Sequence, residues 1–384
     1  MGELKKRLIP PQGAAVPVRV AHIMGKMNTG GVESVVMNYY RNIDKEKVQF
    51  DFIVDEDSSF VPQKEIEDMG GKVYRVPPYK KPFKRHKALT RLFRDNKYPC
   101  VHSHTNALSV FPLLAAKQAG IPFRLAHSHS TAGKGERGRN LLKNLLRPLS
   151  RVFPSHYCAC SEYAGKWLFG DKAYASGKVS LIKNAIDTSK FAFDPETRRR
   201  MRDNLNISDM FAVGHIGRFM KQKNHSFLVD IFAHIHEKQP DAVLLLVGEG
   251  ELEHEIRKKV DELGINERVR FLGVRNDVNQ LLMAFDVFLL PSLYEGLPVV
   301  AVEAQACGLK MVVSDVVTKE AKINKNIVYL PLIRQAKEWA EAALSVQDID
   351  RAAAKEQLVE AGYEISIEAS KLLKLYMSLV NPDG

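Results

Sequence analysis

Short β-branched or aromatic runs alternate with longer helical patterns along the chain, and the alternation starts afresh after about residue 205. In the first half the candidate strands are Val18–Met24, Phe50–Val54, Lys72–Val76, Val101–His104, Arg124–Ser128 and His156–Cys160. In the second half they are Phe211–Ile216, Ala242–Val247, Val269–Leu272, Val287–Leu290, Met311–Ser314 and Ile327–Leu330. Helical patterns lie between them, among others over Gly31–Asn42, Phe227–Lys238 and Leu252–Leu263. Such alternation predicts an α/β fold of parallel sheets covered by helices on both faces. The restart predicts two Rossmann-like domains in series. The expected division is a flexible segment 1–17, a first domain 18–200 and a second domain 201–384, with the junction in the polar stretch Asp187–Asp209. The last amphipathic run, Ser366–Leu379, is expected to pack back across that junction.

A chain of 384 residues is too long for one ordinary core and suits two domains of this kind. Its 45% apolar and 26% charged residues are those of a soluble globular protein. The first 17 residues lack an apolar h-region, and no run of 18 apolar residues occurs, so neither a signal peptide nor a membrane span is expected. The expected location is the cytosol, and Cys100, Cys158, Cys160 and Cys307 are expected to be buried, reduced thiols.

The net charge of +11 is unevenly placed. Residues 1–190 carry 32 Lys and Arg against 16 Asp and Glu, whereas residues 191–384 carry 24 against 29. Residues 72–147 alone hold 17 basic and 2 acidic residues. A one-sided excess of this size suggests an anionic partner for the first half, the alternative being a merely solvated surface.

Open α/β sheets bind ligands beyond the carboxyl ends of their strands, so the chemistry is sought there and in a cleft between the domains. The first strand runs into Gly25-Lys-Met-Asn-Thr-Gly30-Gly31-Val-Glu33 and then a helix. Glycines there allow a ligand close to the backbone, and the helix start suits a phosphate; a plain tight turn has the same pattern. Gly217-Arg218 and Lys223 follow another strand, where two fixed cations can neutralise a diphosphate or simply face solvent. Gly248 and Gly250 mark a further strand end. In Pro291-Ser-Leu-Tyr-Glu295-Gly296-Leu297-Pro298, Glu295 precedes a helix that carries Glu303 eight positions on. A carboxylate accepts two hydroxyl hydrogen bonds, which suits a sugar or a ribose; a helix-start role also fits Glu295 but leaves Glu303, in an apolar run, unexplained.

The Glu295/Glu303 pair matches the E-x7-E motif of GT4-like retaining glycosyltransferases of GT-B fold. Gly30-Gly31, Gly217-Arg218 with Lys223, Ser161-Glu162, and Asn184-Ala-Ile-Asp187 with Phe191 resemble the same family in the same order. The resemblance covers residue 18 to the end, and its texture around Glu295 and Glu303 is similar to exopolysaccharide and capsule enzymes of bacteria. Many members have Pro where Lys310 stands, so no single member's donor choice is carried over.

The resemblance implies a nucleotide-diphosphate sugar as donor, with uridine diphosphate as carrier. Arg218 and Lys223 would bind the diphosphate, Glu303 the ribose and Glu295 the transferred sugar, with Gly217, Gly248, Gly296 and Leu297 lining the donor. Gly30 and Gly31 would close over the phosphates, and Val274 and Arg275 would receive the base. A histidine beside the reacting sugar is implied as well. His129 is favoured over His127 because it lies further into its loop. No cofactor and no metal are expected: neither H-x-H (His102/His104, His127/His129) shows a third ligand at zinc spacing.

The expected acceptor is lipid-linked or a saccharide. Residues 80–87 and the amphipathic basic segment 138–153 are candidates for contact with an anionic membrane, although a buried helix with snorkelling cations accounts for the latter equally well. A sugar-nucleotide epimerase of the same fold and a silent nucleotide-sugar-binding scaffold are the competing readings. No RNP-like strand, zinc finger or helix-turn-helix supports a nucleic-acid partner.

Overall fold

The computed structural model describes residues 16–28, 30–129, 137–345 and 350–381, the side chains of 137–140 and 142 excepted. The described residues form two compact units, each with its own parallel sheet and core. One unit holds the chain up to Lys183 together with the last helix, Ile365–Val380; the other spans Asn184–Glu364.

The first unit contains β1 (Val18–Gly25), β2 (Val48–Asp55), β3 (Lys72–Val76), β4 (Cys100–Ser103), β5 (Phe123–Ser128), β6 (His156–Ala159) and β7 (Val179–Leu181). Their order is β3-β2-β1-β4-β5-β6-β7, every pairing parallel. Only β7 was unforeseen; three residues beside Gly177 are too few to show a period. β2 is buried along its whole length despite two acids. Asp51 is taken up by Arg19, by the Tyr98 hydroxyl at 2.8 Å and by the Lys72 amide at 3.1 Å. Asp55 is held by buried Arg85. Charges enter this core as pairs, as the cost of an isolated one requires.

The second unit contains β8 (Phe211–Ile216), β9 (Ala242–Val247), β10 (Val269–Phe271), β11 (Val287–Leu290), β12 (Lys310–Ser314) and β13 (Ile327–Leu330). Their order is β10-β9-β8-β11-β12-β13, again all parallel. β9, Ala-Val-Leu-Leu-Leu-Val, is fully buried, as a central strand covered on both faces must be.

The structure divides the chain at Lys183/Asn184 rather than at the expected residue 200. Arg198 and Arg202 explain the difference. From the helix Pro195–Asn204, the Arg198 guanidinium donates to the carbonyls of Met283, Ala284 and Phe285 at 2.9–3.1 Å, and Arg202 donates to Ala284 at 2.9 Å. Both also pair with Asp286. Cations at the carboxyl end of the helix Val278–Ala284 complement its dipole and tie the polar stretch to the second unit. The last helix, read from sequence as Ser366–Leu379, groups with the first unit, where it packs on the helix Gly31–Asn42. All four cysteines are free and buried.

Candidate active site

In each sheet the strand order reverses between two neighbouring strands, and the loops beyond that point diverge to leave a crevice. In the second sheet the reversal lies between β8 and β11. The loops that follow them, 217–224 and 291–298, carry the residues singled out from sequence. They are joined by the Leu293 amide donating to Gln222 O at 2.8 Å and the Asn224 side-chain amide donating to Pro291 O at 3.1 Å. Topology brings together here what the sequence spreads over about 80 positions.

Glu295 is the centre of this arrangement. Its Oε1 accepts from Lys223 Nζ at 2.7 Å and from Ser292 Oγ at 2.9 Å, and its Oε2 from Gln222 Nε2 at 3.2 Å. Gln222 Nε2 also donates to Tyr294 O at 3.0 Å. The carboxylate is thereby fixed in one orientation before any ligand arrives. Lys223 and Glu295 are mostly buried, so solvent screens their attraction less than that of a surface pair. Gln222 and Ser292 were not singled out from sequence; a Gln and a Ser in loops carry no spacing signal, though both adjoin residues that were. Arg218 is exposed and has no carboxylate within ion-pair distance among the described residues. The two cations therefore differ: Lys223 is committed to Glu295, and Arg218 is free for an incoming anion.

Glu303 lies half-buried on the helix Val299–Ala306. Burial pushes its carboxyl up to about 7, against the opposing field of Lys190. Leu297 is buried, and its carbonyl accepts from the Asn184 side-chain amide at 2.7 Å; the Asn184 Oδ1 is buried without a partner among the described residues. Ser161 and Asp187, two further positions of the resemblance, cap the helices Glu162–Phe169 and Thr188–Phe191 with their side chains.

The strand-end glycines have a structural reason of their own. Gly248 has φ +130°, and a Cβ there would lie 2.3 Å from Gly217 O. Backbone bonds sew the loops together: the Gly217 amide to Val247 O at 2.9 Å, Phe219 to Glu249 O at 3.0 Å, and Gly248 to Gly273 O at 2.8 Å. Beyond β10, Val274 is exposed, whereas the Arg275 guanidinium is engaged by Asp277 at 2.6 and 2.8 Å. Of that expected base-binding pair, Arg275 is already partnered and Val274 is open.

In the first sheet the reversal lies between β1 and β4. Gly30 and Gly31 start the helix Gly31–Asn42. A Cβ at Gly30 would stand 2.5 Å from Glu33 Oε2, and Glu33 Oε1 accepts the Asn28 amide at 3.2 Å. A carboxylate of the chain thus covers the helix start where a phosphate was expected.

Five histidines from three adjacent strands and the residues just beyond them meet beneath this end of the first sheet. His22 Nδ1 is 2.9 Å from His104 Nε2, and His104 Nδ1 is 2.9 Å from His129 Nε2. Beside this row, the Tyr376 hydroxyl is 2.7 Å from His102 Nδ1, and His102 Nε2 is 3.2 Å from His127 Nδ1. Rings stack between the rows, His102 on His104 at 4.4 Å and His127 on His129 at 3.8 Å. All five are buried, and burial depresses their basicity; His22 and His129 are each pushed down to about 3. His129 stands one residue past β5, its amide donating to Asn106 Oδ1 at 2.7 Å, whereas His127 lies within the strand. The third imidazole that spacing did not reveal is supplied by a neighbouring strand. His22/His102/His104 and His104/His127/His129 each place one ligand atom per residue within 4.8 Å of the others.

Both candidate membrane segments belong to the first unit. Arg85 is withdrawn from the basic cluster 80–87, buried against Asp55 and stacked 4.0 Å over Tyr79. Lys80, Lys81, Lys84 and Lys87 remain exposed around Phe83, itself 90% exposed. In the second segment Leu141, Leu145, Leu149 and Val152 point outward, and Leu146 and Ser150 inward. Residues 138–140 and 142 of it lie outside the described side chains. Among the described residues no helix is long and apolar enough to cross a membrane.

Two parallel-sheet Rossmann-like halves with switch-point loops of this composition define the GT-B class of fold. The family described as Glycosyltransferase Family 4 matches residues 29–190, and that described as Glycosyl transferases group 1 matches residues 211–348. The chain is 36% identical over 368 residues to the putative glycosyltransferase EpsF of Bacillus subtilis, covering 93% of this chain and 96% of that protein. It is 26% identical over 313 residues to an Escherichia coli UDP-Gal:alpha-D-GlcNAc-diphosphoundecaprenol alpha-1,3-galactosyltransferase, covering 78% and 80% of the two. The crystal structure of HepE from Anabaena in complex with UDP-glucose shares the fold, with a TM-score of 0.77 at 20% identity over 94% of this chain and 99% of that one. The chain belongs to the family 4, group 1 glycosyltransferases.

Proposed function

We propose that this glycosyltransferase moves a sugar, with retention, from a uridine-diphosphate donor to a lipid-linked or saccharide acceptor in the synthesis of a bacterial surface polysaccharide. The observation that carries the reading is the pre-oriented Glu295 carboxylate, bonded by Lys223, Ser292 and Gln222 at the strand ends that also carry Arg218. The named activities and ligands of the relatives support the donor class and the acceptor class.

Arg218 and Lys223 take the diphosphate, Glu295 the hydroxyls of the transferred sugar and Glu303 the ribose diol. The bond between the sugar's anomeric carbon and the diphosphate oxygen breaks, and the acceptor hydroxyl attacks on the face the diphosphate leaves. A departing phosphate oxygen takes the acceptor's proton. Fixed cations offset the charge that develops on the leaving group, and being pre-organised they need little reorganisation as it forms. The reading requires no metal, so transfer should persist in chelator. The deciding experiment is a thermal-shift panel of nucleotide sugars and free nucleoside diphosphates in EDTA, repeated with Arg218→Ala and Glu303→Ala. Stabilisation by uridine-linked donors that both variants lose supports the reading; no stabilisation by any donor overturns it.

The protein acts at the inner face of the cell membrane as a peripheral enzyme. Phe83 within its ring of lysines, and the outward row Leu141, Leu145, Leu149 and Val152 on a basic segment, give the apolar insertion and cationic attraction that an anionic surface selects. Absence of co-sedimentation with phosphatidylglycerol vesicles at low salt would exclude this role.

A further inference from the structure

A cavity of about 420 Å³ lies at the amino ends of β8, β11 and β12, wholly within the second unit. The loops 217–224 and 291–298 leave the opposite, carboxyl end of the same sheet, so no residue assigned to the donor lines the cavity. Its size falls within the range of small-ligand sites. Its charge is one-sided. Arg198, Lys310 and Arg351 line it against a single carboxylate, Asp286, which Arg198 already shares with Arg202. Lys310 and Arg351 have no carboxylate within ion-pair distance among the described residues.

Lys310, the first residue of β12, is buried. Its Nζ donates to Ala343 O and to Ser345 Oγ, both at 3.0 Å, and to Ser345 O. Those bonds close the carboxyl end of the helix Ala336–Leu344, where a cation also meets the helix dipole. The Arg351 guanidinium lies 4.0 Å over the Phe193 ring and donates from Nε to Cys307 O at 2.9 Å. Its outer nitrogens hold only long contacts, 3.3 Å to Phe285 O, 3.4 Å to Leu282 O and 3.7 Å to Cys307 Sγ. Capping accounts for the bonds of Lys310. It accounts neither for the open volume beside them nor for two cations withdrawn from water without a counter-charge. Burial disfavours the charged form of both side chains. Carbonyl dipoles return part of that cost, and an anion in the cavity returns more.

We propose that this cavity is a second ligand site, remote from the donor residues, which takes a small anion by a carboxylate or phosphate group set between Lys310 and Arg351. The outer nitrogens of Arg351 give the directed hydrogen bonds, and the Phe193 ring holds the guanidinium plane in place. Lys310 gives a fixed charge. Phe211 and Leu344 face the apolar part of the ligand. The site is independent of the glycosyltransfer reading, since none of its residues has a part in that chemistry.

Titration calorimetry of the full chain tests the site, with sodium citrate, phosphate and pyrophosphate at millimolar concentration as the probes. The proteins compared are the unsubstituted chain, Arg218→Ala, Lys310→Met, Arg351→Gln and Leu344→Trp. At least one of the three anions should bind, one molecule per chain, and with the same affinity in Arg218→Ala. Lys310→Met and Arg351→Gln should each weaken that binding about tenfold or more, the effect of losing one charged partner. Leu344→Trp narrows the cavity without removing a charge and should weaken it as well. If Lys310→Met melts early for want of its bonds to Ala343 and Ser345, Arg351→Gln and Leu344→Trp carry the same test. Binding of citrate alone makes the ligand a carboxylate; binding of the phosphates alone makes it a phosphate. Binding of none of the three overturns the proposal. So does binding that Arg218→Ala abolishes and the cavity variants leave intact, which is phosphate at the donor residues.

Discussion

Lys223 Nζ lies 2.7 Å from Glu295 Oε1, a link between the loops that follow β8 and β11. The pair keeps a cation and a carboxylate aligned at the point where the strand order of the second sheet reverses. Lys223→Ala removes the cation assigned to the departing diphosphate. The expected loss in kcat is 10²- to 10³-fold, on the order found when one pre-organised group facing developing charge is deleted. Glu295→Gln keeps the shape and the Ser292 contact but gives up the charge, and should lose activity as well. Steady-state kinetics of both variants with a uridine-linked donor checks this.

Arg218 differs from Lys223 because, among the described residues, its exposed side chain has no ion-pair partner. Arg218→Ala should change unfolding free energy by no more than about 0.5 kcal/mol, as for an exposed side chain without a structural partner. Donor binding should nevertheless fall sharply. Denaturant unfolding and UDP titration of the same variant separate the two effects.

Glu303 supplies the pH dependence. Its carboxyl is pushed up to about 7 by burial, from an ordinary value of 4.5. The folded chain therefore holds this proton between those values and the unfolded chain does not. The group's contribution to stability falls as pH rises from about 4.5 through 7, then levels off. Under the proposed ribose contact ligand affinity should run the other way, because a carboxylate accepts hydroxyl hydrogen bonds and the acid accepts them poorly. UDP affinity should rise with pH through about 7, and Glu303→Gln should flatten the profile. Calorimetric titration at pH 6, 7 and 8 in two buffers of different ionisation enthalpy measures both the affinity and the protons released.

Arg85 and Asp55 test the core of the first unit. Arg85 is buried, bonded to Asp55 and to Pro77 O at 2.8 Å, and burial raises the Asp55 carboxyl even against that cation. Arg85→Ala leaves a buried carboxylate unpaired and should cost about 3–5 kcal/mol. Replacing the exposed neighbour, Lys84→Ala, should cost less than about 0.5 kcal/mol. Chemical denaturation of the two variants gives the comparison.

Much of the fold was legible because parallel strands covered on both faces are short apolar runs, as in Ala242–Val247, and glycines mark their ends. The division at Lys183 was not legible. A helix as polar as Pro195–Asn204 reads as a linker until Arg198 and Arg202 are seen closing the helix Val278–Ala284. In the site, charge and spacing exposed Arg218, Lys223, Glu295 and Glu303. Gln222 and Ser292 gave no signal, since their meaning comes from a carboxylate about 70 residues away or three residues on, and neither has a period. The histidine row was half visible as two H-x-H pairs. The third element, His22, joins them only because β1 lies beside β4 in the sheet.

The helix Ile365–Val380 completes a unit whose other elements all precede residue 184. Chain entering the second unit is pinned to chain leaving it, with the Ile186 amide bonded to Tyr363 O at 3.0 Å and Thr188 Oγ1 to Glu364 Oε2 at 2.5 Å. On the ribosome the whole second unit is made before the helix that completes the first, so the His102 imidazole lacks its Tyr376 partner until after residue 364 has been added.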